Sequence, residues 1–90
     1  MHKTQDQLSA KLHDASHLVH VGAHYRHYKS TDLLYEVLHL AILEATQEPA
    51  VVYQALYGDH LIWIRTLSDF TAKVEKDGQK LLRFEEVSDE

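Results

Sequence analysis

From residue 24 onward the chain cannot run far before meeting a turn former, and that spacing limits its fold more than any other feature. His24–Lys29 reads as a short aromatic and basic strand, closed by a polar turn at Ser30-Thr31-Asp32. Leu34–Leu43 follows as a longer strand rich in Leu, Val and Ile. Thr46-Gln47-Glu48-Pro49 is a connection, because proline cannot donate to a strand ladder. Val51–Tyr57 is β-branched and aromatic, as strands prefer. Gly58-Asp59 then turns the chain into Leu61–Arg65. Thr66–Phe70 reads as a helical turn opened by Ser68 and Asp69. Thr71–Lys76 and Lys80–Val87 flank Asp77-Gly78, a pair favoured in two-residue type I′ hairpins. Five or six such strands in so short a stretch leave few ways to hide their edges, and closure into a small antiparallel barrel is the economical one.

The first twenty residues read differently. Thr4-Gln5-Asp6-Gln7 has the form of a capping box, in which the hydroxyl takes the third backbone N–H and Gln7 returns the bond. Leu8, Leu12, Ala15 and Val19 recur at helical spacing on one face, and Gly22 ends the pattern. The expected organisation is an amphipathic helix over 1–21, a barrel domain over 22–87 and an acidic tail over 88–90.

Ninety residues make one domain with a thin core, since a chain of this size hides only about 60–65% of its unfolded surface. With no cysteine there is neither a disulfide nor a thiolate zinc site, which fits a reducing, cytoplasmic setting. The N-terminus carries charges where a signal peptide needs an apolar stretch. The longest nearly apolar run, Val37 to Leu43, is far short of the roughly 20 residues that cross a bilayer. The net charge of −5 is uneven. Lys3, Lys11, Arg26 and Lys29 outnumber Asp6 and Asp14 in the first 29 residues, whereas acids dominate the rest. Such an acidic body argues against non-specific nucleic-acid binding.

The blocks Tyr25-Arg26-His27-Tyr28-Lys29, Tyr35-Glu36-Val37-Leu38, Val51 to Asp59, Trp63-Ile64-Arg65, Phe70 and Arg83-Phe84 resemble the bacterial family named for domain of unknown function 1653. The resemblance spans roughly residues 22–87 and implies an SH3-like β-barrel with no established activity. The chain departs from that family's pattern at Ser30-Thr31-Asp32, where a Gly usually follows the YRHYK block. It departs again at His39, where a small residue is usual, and at Thr66, which replaces a proline.

Strand alternation places Tyr25, His27 and Lys29 on one side of their strand, and Trp63 with Arg65 on one side of theirs. Ile62 and Ile64, pointing the other way, are the expected core residues. Tyr53 and Tyr57 share a face whose exposure the sequence leaves open. The expected site is an aromatic and basic groove of Tyr25, His27, Lys29, Tyr57, Trp63 and Arg65. Flat rings there would supply area, and a guanidinium fork would grip a carboxylate or phosphate in a small molecule or peptide. A catalytic alternative sets His27 or His60 as base with Asp59 beside it, but no Ser or Cys nucleophile stands in a recognisable setting. Another alternative is assembly, with the apolar stripe of the first helix pairing two chains as a homodimer. His13, His17 and His20 share a helix face, and the first two have chelating spacing, but no carboxylate completes a ligand set. The expected site therefore includes no metal, no other cofactor and no catalytic residue, and the sequence leaves open whether the helix histidines bind a metal.

Overall fold

The computed structural model describes residues 4–88; the expected tail residues Asp89-Glu90, and Met1 to Lys3 of the expected helix, lie outside them. The order of elements is α1 (Gln5–Ser16), β1 (His24–His27), β2 (Ser30–Leu43), β3 (Glu48–Ala55), β4 (Ile62–Thr66), α2 (Leu67–Phe70), β5 (Lys73–Lys76), β6 (Gln79–Leu82) and β7 (Phe84–Val87). The protein is thus mainly β, with an N-terminal helix and antiparallel sheets.

Five strands form one sheet in the order β4-β3-β2-β1-β7, and β5 with β6 forms a separate hairpin. The sheet is not closed. β4 and β7 are its two edges, and no ladder joins them among the described residues. The expected continuous barrel is corrected on that point. The reason lies partly at Arg83, which interrupts the expected Lys80–Val87 strand. Its N–H bonds back to the Ala72 carbonyl at 2.9 Å, so β6 pairs with β5 while β7 leaves to pair with β1.

α1 begins as its sequence dictates. The Gln7 N–H donates to Thr4 Oγ1 at 3.1 Å, and the Thr4 N–H donates to Gln7 Oε1 at 2.9 Å. The helix ends at Ser16, earlier than the expected twenty residues, and lies against β2 and β3. Ala15 is fully buried, and Val19, just beyond the helix, joins the core. The C-terminal half of the stripe, Ala15 and Val19, therefore packs on its own chain.

Two local expectations are overturned. Pro49 lies inside β3 opposite Ile42, near the strand's start, where a missing donor costs least. Ser30 to Asp32 belong to β2, and the reversal occurs at Tyr28-Lys29 beside a bulge at Arg26/His27. Asp77 and Gly78 both take positive φ, +55° and +80°, as a type I′ turn requires.

The core consists largely of rings. Phe70 stacks on Phe84 with centroids 4.2 Å apart, and Tyr25 and Tyr53 meet Phe70 edge-on at 5.4 and 5.3 Å. Val19, Val37 and Val51 complete it. Phe70 reaches this cluster because α2 turns straight off β4, capped by Thr66 Oγ1, which accepts the Asp69 N–H at 3.2 Å.

Candidate functional site

The inner face of the sheet carries a concavity of about 260 Å³ walled by His27, Tyr35, Tyr53, Tyr57, Trp63, Arg65 and Phe84. Register explains the gathering. Tyr53 stands opposite Trp63, and His27 stands opposite Phe84, so each pair shares a face of its strands. Since Arg65 comes from one edge strand and Phe84 from the other, the sheet must curl to bring them together.

The isoleucines run against expectation. Ile62 is 57% exposed and Ile64 64%, so they do not fill the interior. Alternation correctly separated them from Trp63 and Arg65 but could not say which face was covered. The covered face is the one that meets Phe70, and among the described residues the other face at β4 is left exposed at Ile62 and Ile64. Trp63 stands at the rim, 49% exposed.

Arg65 is held rigidly. Its Nε donates to the Tyr53 hydroxyl at 3.0 Å, its Nη1 donates to Asp69 Oδ2 at 2.6 Å, and its guanidinium carbon lies 5.5 Å from the Phe84 ring centroid. Burial would ease its proton off, but the bonds to Tyr53 and Asp69 outweigh this and hold it more firmly charged than usual. Asp69 also lies 3.7 Å from Arg83 Nη2. Arg83 Nε is buried with no hydrogen-bond partner among the described residues.

His27 accepts the Lys29 N–H on Nδ1 at 3.2 Å, which leaves the proton of a neutral ring on Nε2. Burial, then the charges of Arg65, Arg83 and Lys29, lower its pKa below the ordinary 6.5, so it is neutral at pH 7. Tyr35 and Tyr57 share a hydrogen bond between their hydroxyls. Burial first, then that bond, pushes the Tyr35 pKa up to about 12. A hydroxyl pair has two protons and uses one in the mutual bond, so a second remains to donate. The concavity thus combines aromatic walls with a guanidinium, an imidazole N–H and a phenol O–H, a set suited to an acceptor-rich anionic group.

Of the expected site residues, the structure brings together His27, Tyr57, Trp63 and Arg65. Tyr25 is not among the lining residues. It is buried in the core, its hydroxyl accepting the His20 N–H at 2.9 Å and donating to Glu86 at 3.4 Å. Lys29 sits on the turn outside the lining residues, its Nζ 5.8 Å from the Tyr28 ring, and its N–H and charge bear on His27. Four lining or supporting residues were not assigned to the site from sequence. Tyr53 was left open and Phe84 was placed in the core. Asp69 had a signal, its spacing of four from Arg65 across a helical turn. Tyr35 had none beyond its place in the register opposite Tyr25.

The catalytic alternative draws nothing from the geometry. Asp59 lines a small neighbouring depression that shares Tyr57 and Trp63 with the concavity, and the His60 carbonyl accepts from Gln54 Nε2 at 3.0 Å. No hydrogen bond among the described residues joins either to His27. On α1, the His13 and His17 rings meet edge-on with their Nε2 atoms 3.4 Å apart, while His20 turns to Glu86 at 2.8 Å. Among the described residues, no three potential ligands gather as a metal centre would need. Nor is any described helix long and apolar enough to cross a membrane. A larger depression, about 360 Å³, lies between Leu18, Tyr25, Phe70, Leu82 and Glu86. Its only charged lining residue, Glu86, already serves His20 and Tyr25, so the smaller concavity is the better candidate.

No curated protein matches the chain. Among solved structures, it is similar to a crystal structure of a protein from Bordetella bronchiseptica, at 32% identity and a TM-score of 0.61. The match covers 70% of this chain and 81% of that one, which belongs to the same family that the sequence matches. The family model described as a protein of unknown function, DUF1653, matches residues 23–86, so the chain belongs to the DUF1653 family.

Proposed function

We propose that this protein is a small non-catalytic binding module that takes an anionic or peptide-like ligand in the concavity of His27, Tyr35, Tyr53, Tyr57, Trp63, Arg65 and Phe84. The carrying observation is the set of hydrogen-bond donors around Arg65, whose guanidinium Tyr53 and Asp69 hold in place before any ligand arrives. At about 260 Å³ the concavity is smaller than the roughly 300–1,000 Å³ of drug-sized sites, so it suits a small acid or one arm of a longer ligand. A sheet curled enough for Arg65 of one edge strand to reach the Phe84 ring of the other is also compatible with an opened SH3-like barrel.

Trp63 is the only tryptophan and stands at the rim, so its fluorescence reports directly on occupancy. Titration with 3-phenylpropanoate, a flat ring with one carboxylate, is expected to quench it. Combining Trp63→Phe with Arg65→Gln should weaken that binding by about tenfold or more, measured by calorimetry, because a charge-assisted hydrogen bond contributes about 1.5–3 kcal/mol. An unchanged affinity in the double variant would overturn the site.

A further inference from the structure

The concavity does not end at a wall. Trp63 and Arg65 belong to β4, and β4 is the edge of the sheet. The Ala55 N–H donates to the Leu61 carbonyl at 2.9 Å, which fixes the hydrogen-bonding parity of the β3–β4 pair. Leu61, Trp63 and Arg65 therefore aim their backbone groups at β3, and Ile62 and Ile64 aim theirs outward, where no described strand meets them. Natural sheets guard such an edge with proline, lysine, a bulge or a covering element. Residues 61 to 64 carry none of these, and all four side chains are about half exposed or more.

We propose that the ligand is an extended peptide that adds to β4 as a sixth, antiparallel strand, an inference that rests on the concavity being the binding site. Strand addition supplies main-chain hydrogen bonds along the edge and projects alternate side chains to one face. On the concave face those side chains stand directly opposite Trp63 and Arg65. These are non-hydrogen-bonded positions of the new pair, where side chains approach most closely, at about 4.5 Å between Cα atoms. The chemistry of the two positions then specifies the peptide. Opposite Arg65 belongs a carboxylate, and two residues later, opposite Trp63, an aromatic or large apolar side chain. Acid-x-aromatic is thus the recognised order. A second copy of this chain fits the same edge less well. With Ile64 opposite Ile64 of the copy, it would bring a second Arg65 guanidinium toward a concavity that already offers donors and positive charge.

The probe is the blocked hexapeptide acetyl-Thr-Val-Glu-Val-Phe-Thr-amide, used with the full-length protein. Three comparison ligands accompany it: the same peptide with glutamine for glutamate, the same peptide N-methylated on the valine between glutamate and phenylalanine, and 3-phenylpropanoate. The parent peptide is expected to quench Trp63 and to slow amide hydrogen exchange at Ile62 and Ile64. The glutamine and N-methyl peptides should each bind at least about tenfold more weakly. The small acid should quench without protecting either amide. The two modified peptides probe the edge without altering the protein, and Ile64→Pro, which removes an outward N–H, should abolish peptide binding while sparing the small acid. Binding by the acid with none by the peptide, equal binding of the N-methyl peptide, or a bound peptide that leaves Ile62 and Ile64 exchanging freely would overturn strand addition alone. A doubled mass with both amides protected before any peptide is added would overturn it in favour of self-pairing. Failure of the acid as well would overturn the concavity itself.

Discussion

The Arg65 guanidinium lies over the Phe84 ring, 5.5 Å from its centroid, although the two residues belong to opposite edges of the five-stranded sheet. The curl of the sheet thus depends on side chains as well as on strand ladders, and Phe84 is the ring on which they converge.

Removing that ring should therefore destabilise the molecule and distort the site together. Phe84→Ala is expected to cost about 3–5 kcal/mol, as buried phenylalanines do. Urea unfolding followed by far-UV circular dichroism measures it. A cost below about 1 kcal/mol would show that Phe70 and Tyr53 repack without it.

The β5–β6 hairpin offers a cleaner backbone test. Gly78 sits at φ +80°, and nothing lies within 4 Å of where a Cβ would stand. Gly78→Ala should therefore cost only left-handed strain, about 1–2 kcal/mol. In a domain of this size each kcal/mol lowers Tm by about 4–8 °C, so the effect can be read by thermal melting.

Acid should weaken the fold partly through His27. Its folded pKa lies below 6.5, chiefly from burial and then from Arg65, Arg83 and Lys29. The unfolded chain therefore binds more protons just below pH 6.5. The stability present above that value is lost as pH falls toward the folded pKa. His27→Gln should flatten this decline in Tm between pH 7 and 5 relative to the parent, and an unaltered slope would refute the assignment.

Alkali should weaken the fold as well, through the tyrosines. Tyr35 titrates at about 12 when folded and near 10 when unfolded, and the pKa values of Tyr25 and Tyr53 are raised by burial as well. Their contribution is complete below pH 10 and disappears as pH climbs toward 12. Tyr35→Phe should remove part of that loss, followed by denaturant midpoints at pH 9.5 and 11. Ultraviolet titration at 295 nm should show one phenolate fewer among the late-ionising group.

Much of this fold was legible wherever a local rule sufficed. Thr4 and Gln7 announce their capping box, and Asp77-Gly78 its hairpin. Strand alternation correctly put Trp63 and Arg65 on one side and the two isoleucines on the other. The burial of each side was not legible, because it depends on where Phe70 lands after a chain reversal that alternation does not describe. Hydrophobicity favoured the isoleucines for the interior, but the inner face was filled by rings. Tyr25 was misplaced for the same reason: it shares the inner face with His27, yet lies one pair further along, under Phe70 and away from the opening. Arg83 could not be read as a strand break, since the bond from its N–H to Ala72 is set by tertiary structure.

Asp69 is one carboxylate between two guanidinium groups, 2.6 Å from Arg65 and 3.7 Å from Arg83, within a molecule whose net charge is −5. An approaching anion thus meets two fields of opposite sign, a broad repulsion from the whole body and a short-range attraction at the mouth of the hollow. Dissolved salt quenches the broad field first, because ionic screening sets in over about 10 Å at 0.1 M. Capture by this protein should therefore quicken as salt rises from very dilute buffer, the reverse of what a basic receptor shows.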